Sequence, residues 1–156
     1  ISETKREKQN KMEELVQSLK VVLANHYAFY LKAHYYHWNI TGPNFPQYHE
    51  FLENIYTEVY GVVDKVAEEI RVLDSYAPGS FNRFIQLSQI QGDETVPPAE
   101  VMLQRLLEDI PVMLASIQRV YDLAEENKAH HLSNFMAERQ DAFGKHAWMI
   151  RSTLKA

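Results

Sequence analysis

The stretch MEELVQSLKVVLANHYAFYLKAHYYHWNITGP, residues 12–43, decides the fold. Within it Leu15, Leu19, Val22, His26, Tyr30, Ala33 and His37 recur at steps of three or four residues, which places them along one side of a helix. Gly42 and Pro43 end the pattern, one through its freedom to leave helical geometry and the other through its missing N–H. A helix striped over this length is stable only when its apolar side is covered, so the neighbouring sequence has to supply partners.

It supplies three. Tyr48, Leu52, Ile55, Val59, Val62, Val66 and Leu73 form a second stripe that runs to a turn at Pro78 and Gly79. Residues 80–94 lack long periodicity and read as a crossover, in which Arg83 to Leu87 are expected to form a short helix. Pro97 and Pro98 suit a helix start, and Leu103, Leu106, Ile110, Met113, Ile117, Val120 and Ala124 continue as a third stripe. That stripe keeps its phase across Pro111, so a kink is expected there and not an end. A fourth, less regular stripe takes in Leu132, Phe135, Ala142, Ala147, Ile150 and Leu154. Four amphipathic helices with one long link between the second and third describe an all-α, ferritin-like four-helix bundle with a crossover.

With 156 residues, 46% hydrophobic and 24% charged, the chain suits one compact domain, expected over residues 12–156 behind a charged leader at 1–11. The absence of cysteine excludes disulfides and thiolate metal sites, leaving His, Asp and Glu as ligands for a hard or borderline metal. A net charge of −5 argues against a surface shaped throughout for a polyanion. No apolar run is long enough to span a membrane and the leader does not resemble a signal peptide, so a cytoplasmic location is expected. Gly-rich phosphate loops and nucleophile motifs are lacking, and the chemistry must come from the helices.

A di-iron bundle ordinarily carries Glu-x-x-His motifs that converge between its helices, and this sequence has none. The remaining candidates are His37 and His49, which flank the Gly-Pro turn, and Asp64 with Glu68, four residues apart on one helical face. His49 and Asp64 are separated by fifteen residues, roughly 22 Å of helix axis, and ligand bonds of about 2 Å cannot close such a gap. Two copies of the second helix packed antiparallel across a two-fold axis would bring His49 of one copy to Asp64 and Glu68 of the other. A second stripe on that helix, His49, Glu53, Tyr56, Tyr60, Asp64 and Glu68, mixes aromatic and charged residues and suits a subunit contact.

The segment from Lys32 to Phe45, KAHYYHWNITGPNF, followed by Tyr48-His49-Glu50-Phe51 and Asp64-Lys65-Val66-Ala67-Glu68-Glu69, closely resembles the Dps family of miniferritins. The resemblance implies that His37 and His49 of one subunit and Asp64 and Glu68 of its two-fold partner ligate iron, with Glu53 assisting a weaker second iron. It further implies a ferroxidase that oxidises ferrous iron, with hydrogen peroxide or dioxygen as oxidant. The ferric mineral would be stored inside a hollow homo-oligomer of twelve subunits, protecting against oxidative damage. Two imidazoles and two carboxylates suit ferrous iron and would also accept zinc. Trp38, beside His37, is placed to intercept stray oxidising equivalents.

Family members often line a pore with acids at the start of the last helix, which makes His130, His131, Glu138 and Asp141 candidates for a route by which iron reaches the cavity. Asn134 stands where many members have Asp, and a plain charged surface is the competing interpretation. Duller roles exist for the others as well. His26 and His34 match no ligand position and read as structural, Asp64 and Glu68 alone would be a solvated face, and Trp38 and Trp148 alone would be packing aromatics. Many relatives bind DNA through a basic tail, which would associate the protein with the nucleoid. Here Lys5, Arg6, Lys8 and Lys11 are balanced by Glu3, Glu7, Glu13 and Glu14, so DNA binding is the alternative function and not the leading one.

Overall fold

The computed structural model describes residues 3–155, so Ile1 and Ser2 of the charged leader and Ala156 at the other end lie outside it. Helices account for all regular structure among the described residues: α1 Lys5–Asn39, α2 Phe45–Tyr60, α3 Val63–Val72, α4 Phe81–Leu87, α5 Ala99–Glu126 and α6 His130–Leu154. α1 packs against α2, α3, α4 and α5, and α5 against α6. Two antiparallel hairpins, α1 with α2–α3 and α5 with α6, therefore form a four-helix bundle, and the link between them carries the short α4. None of these helices is long and apolar enough to cross a membrane.

α1 begins at Lys5 and not at the first apolar residue of its stripe. The Thr4 hydroxyl accepts the Glu7 N–H at 3.1 Å, so the cap lies within the charged leader and residues 5–11 extend the helix. The second stripe does not form one continuous helix. α2 and α3 meet at Gly61 and Val62, where the Val62 N–H reaches the Val59 carbonyl at 3.4 Å and the regular ladder resumes only with Val66 bonded to Val62. A glycine followed by two β-branched residues is a weak point for a helix, and the bend lies between His49 and Asp64. Ile70, which the stripe omitted, is buried, whereas Val62 and Leu73 are only partly covered.

α4 starts two residues before Arg83, with the Ser80 hydroxyl accepting the Arg83 N–H at 3.1 Å. α5 passes unbroken through Pro111, although proline offers no N–H to the Leu107 carbonyl. α3 and α5 end in Schellman turns built on Asp74 (φ 61°) and Lys128 (φ 58°) without a glycine.

The fourth stripe is irregular because two of its core positions are polar. Arg139 and His146 are buried on α6 in line with Phe143 and Ile150, while Ala142 is only partly covered. Arg139 donates from Nη1 and Nη2 to the Glu58 carboxylate of α2 at 2.6 and 3.1 Å and from Nε to His26 Nε2 at 3.1 Å. His146 Nε2 lies 2.8 Å from the same carboxylate. His26, wholly buried on α1, donates its Nδ1–H to the Val22 carbonyl at 2.9 Å. Burial, reinforced by the neighbouring guanidinium, holds the His26 imidazole down to about 3, hence neutral. Burial alone would raise Glu58, but the hydrogen bonds from His146 and Arg139 outweigh it and bring the carboxyl to about 2. His26 is thus structural, as its position on the stripe led one to expect.

Polar anchors also tie the crossover to the bundle. The Asn25 side chain accepts the Gln89 N–H at 2.7 Å and donates to Gln89 Oε1 at 3.0 Å. Asp93 receives the Tyr36 hydroxyl at 2.6 Å and Arg105 Nη1 at 2.7 Å, which joins the last turn of α1 to α5 beside His37.

Candidate metal centre

His37 stands on the last turn of α1 and His49 on the early part of α2, on either side of the turn that Gly42 makes with φ 129°. The turn brings the two imidazoles together, their rings stacked with centroids 3.7 Å apart. Each ring bonds to the other residue's backbone: His37 Nδ1 lies 2.7 Å from the His49 carbonyl and His49 Nδ1 lies 2.8 Å from the His37 carbonyl. A carbonyl only accepts, so both Nδ1 atoms carry hydrogen, and in a neutral ring Nε2 then presents a lone pair. The His37 carbonyl sits at the end of α1, where no further turn of helix exists to satisfy it, and the His49 ring serves as its cap. A hydrogen bond on the distal nitrogen is also the feature that orients metal-ligating histidines.

Glu53, one turn beyond His49, has its carboxylate 3.9 Å from His37 Nε2. That is too long for a hydrogen bond and short enough for two ligand bonds of about 2.1 Å to span through a common ion. Asp64 and Glu68 lie exposed on α3, past the Gly61 bend. Their carboxyls are within hydrogen-bond reach of each other, and Asp64 pushes Glu68 above the ordinary carboxylate value through that bond and through charge repulsion.

Among the described residues of one chain, no three His, Asp or Glu side chains are grouped so as to hold a metal. The structure brings His37 against His49 and, more loosely, against Glu53, and separately pairs Asp64 with Glu68. Within one chain it does not bring the two sets to each other. Two half-sites, one of imidazole nitrogen donors and one of crowded carboxyl groups, are complementary in chemistry.

Trp38 is exposed and lies against His34, ring centroids 4.1 Å apart. Glu138 and Asp141 are exposed on α6 on the same face as Asn134. His131 Nε2 is 3.2 Å from Glu69, and His130 Nδ1 3.4 Å from Glu125, so both histidines already have acidic neighbours within the chain. Sequence reasoning missed the Glu58, Arg139 and His146 cluster. Its signal was the helical spacing of Arg139, Phe143, His146 and Ile150, concealed by the usual expectation that core positions are apolar.

A ferritin-like domain matches residues 16–156. The sequence is 26% identical over 141 residues to the DNA protection during starvation protein 2 of Bacillus anthracis, covering 90% of this chain and 97% of that one. The crystal structure of antigen TpF1 from Treponema pallidum superposes with a TM-score of 0.90 at 28% identity, covering 94% and 95% of the two chains. A Dps protein from Vibrio cholerae O1, described as a member of the ferritin-like diiron-carboxylate superfamily, superposes with a TM-score of 0.89 at 28% identity, covering 94% of this chain and 92% of that one.

Proposed function

The chain belongs to the Dps branch of the ferritin-like family, and on that premise we propose that it oxidises ferrous iron at sites completed by two copies of itself and stores the ferric product inside the resulting shell. The observation that carries this proposal is the reciprocal bonding of His37 and His49. It occupies both Nδ1 atoms and leaves both Nε2 atoms as donors, while the described residues of the same chain form no group of three side chains able to hold a metal. Asp64 and Glu68 of a two-fold partner supply the missing charge, and an ion between them relieves the repulsion that raises Glu68.

Iron is the substrate. Two ferrous ions give one electron each, so that hydrogen peroxide and two protons become two waters without an intermediate one-electron product. His37, His49, Asp64 and Glu68 hold the first ion, and Glu53 supports the second. Their oxygen and nitrogen donors also admit zinc, which has no redox chemistry and would act as an inhibitor. Trp38 is a secondary donor beside this site, and Glu138 with Asp141 line the route by which iron reaches a cavity enclosed by twelve subunits. The reducing cytoplasm, where ferrous iron persists, is the compartment this activity suits.

Mixing two inactive variants tests the shared site. In a His37→Ala and Asp64→Ala mixed dimer, one site lacks both residues and the other is intact. Random reassembly from equal amounts should therefore restore about a quarter of wild-type ferric absorbance after anaerobic ferrous loading and peroxide addition. No recovery would mean that each chain builds its own site, and wild-type rates in both separate variants would show that the ligands are wrong.

DNA binding is the weaker proposal. Lys11 of the leader is paired with Glu3 at 2.5 Å, and the acidic residues of the same helix turn oppose a polyanion. A salt-sensitive mobility shift would support it, and no shift at low salt would end it.

A further inference from the structure

The middle of the bundle holds a second set of imidazole and carboxylate donors, drawn from three helices. His26 of α1, Glu58 of α2 and His146 of α6 gather about Arg139, whose side chain is 3% exposed. Arg139 donates from Nη1 and Nη2 to the Glu58 carboxylate at 2.6 and 3.1 Å and from Nε to His26 Nε2 at 3.1 Å. His146 Nε2 donates to Glu58 Oε1 at 2.8 Å. Phe143 floors the group, its ring centroid 5.1 Å from the guanidinium carbon and 5.5 and 5.6 Å from the His26 and His146 rings.

Two imidazoles and one carboxylate are a donor set suited to ferrous iron or zinc, with positions left open. His26 is prepared for such a role. Its Nδ1–H is engaged with the Val22 carbonyl at 2.9 Å, which fixes the ring and leaves the Nε2 lone pair directed at the guanidinium. Burial and the nearby guanidinium keep that ring neutral, so no proton competes for the lone pair. Burial alone would raise Glu58, but the hydrogen bonds from His146 and Arg139 bring its carboxyl to about 2, and it is ionised. A half-buried carboxylate in a bundle core requires a cation, and Arg139 is the one beside it. With the guanidinium between them the donors stand apart, and among the described residues they form no group able to hold an ion. The Glu58 side chain is 35% exposed, which gives an ion a path from solvent.

We propose that His26, Glu58 and His146 form a divalent-metal site in the middle of the bundle, and that the Arg139 guanidinium keeps it closed by standing where the ion would be. An ion in that place draws the donors inward from hydrogen-bond length to ligand bonds of about 2.1 Å. His146 then moves its Nε2 proton to Nδ1 or gives it to solvent, freeing a second lone pair. This site belongs to one chain, unlike the centre that His37 and Asp64 complete only between two, and it does not depend on the iron-oxidation reading. With Arg139 in place a ferrous ion finds no vacancy in the core.

The test is cobalt binding by the assembled protein, with His37→Ala and Asp64→Ala present throughout so that the shared centre is disabled. Divalent cobalt held by imidazoles and a carboxylate absorbs strongly in the visible, whereas the hydrated ion is pale. The parent should show no such band. Adding Arg139→Ala should produce the band with one cobalt per chain, and cobalt should raise the urea midpoint of that variant. A further His26→Gln or Glu58→Gln should weaken its cobalt affinity by roughly tenfold or more. Arg139→Met, which keeps an aliphatic stem against Phe143, should bind as Arg139→Ala does. Should either variant be unfolded without metal, cobalt should restore its assembly. The proposal is overturned by a band in the parent, by its absence from both folded Arg139 variants, by a band indifferent to His26 and Glu58, or by chains that stay unfolded with cobalt. Ferric absorbance in the wild type bears on the shared centre alone.

Discussion

Acid should destabilise this fold through His26 before it affects Glu58. The imidazole is wholly buried, donates to the Val22 carbonyl and accepts from Arg139, so the folded state binds its second proton only near pH 3, against 6.5 for an exposed ring. A depressed folded value means that the unfolded chain takes the proton first. The stabilisation is complete above pH 6.5 and is lost progressively as pH falls toward 3. Between pH 7 and pH 5 the loss should be about 2 kcal/mol, from a slope approaching 1.4 kcal/mol per pH unit. Glu58, brought to about 2 from 4.5, has the same sign but begins to contribute only below 4.5, so the window above that belongs to His26. His26→Gln preserves an acceptor for Arg139 and a donor for Val22 while removing the titration. Denaturant unfolding at pH 7 and pH 5, at fixed protein concentration, should show the wild type losing about 2 kcal/mol more than the variant. Equal losses would refute the neutral, Arg139-bonded imidazole.

Lys32 and Asp109 form an ion pair at 2.8 Å between α1 and α5, with both side chains largely covered. Lys32→Met should cost about 3–5 kcal/mol in unfolding free energy, and the Lys32→Met, Asp109→Leu double variant should recover most of it. Lys128 holds φ 58° at the end of α5, so Lys128→Gly should raise stability by roughly 0.5–1 kcal/mol, read as a higher midpoint in the same titration. Tyr36→Phe leaves Asp93 with Arg105 and Thr95 but unties it from α1; it should lower stability by about 1–2 kcal/mol and show faster amide exchange in the crossover.

What the sequence made legible follows from what periodicity can report. α1, α2, α5 and the crossover were readable because Leu15, Leu19 and Val22, or Leu103, Leu106 and Ile110, repeat at helical steps with nothing intervening. The break at Gly61 was not readable, since the apolar phase passes through Val59, Val62 and Val66 as it would in a straight helix, and only the N–H bookkeeping at Val62 exposes it. α6 was harder for the opposite reason. Arg139 and His146 are in phase with the core, but their polarity conceals this, and their partners Glu58 and His26 come from two other helices.

The candidate site divides along the same line. His37 and His49 were suspected from the turn between them, but the reciprocal Nδ1 bonds depend on φ 129° at Gly42 and on the end of α1 falling at Asn39, neither of which residue spacing reports. Asp64 and Glu68 were readable as a pair on one face, and if they share an ion with His49 the distance along the helix calls for a second chain. These two lines of inference meet at the bend. Placed between His49 and Asp64, it sets the angle at which α3 presents its carboxylates relative to α2. Stiffening it with Gly61→Ala, whose added carbon would stand 3.1 Å from the Thr57 carbonyl, alters that angle without touching a ligand. If the site is shared, such a change acts twice, once in each copy, because each chain is histidine donor to one centre and carboxylate donor to the other. An angular error that a single-chain site could absorb by local adjustment is then imposed on both centres of the dimer.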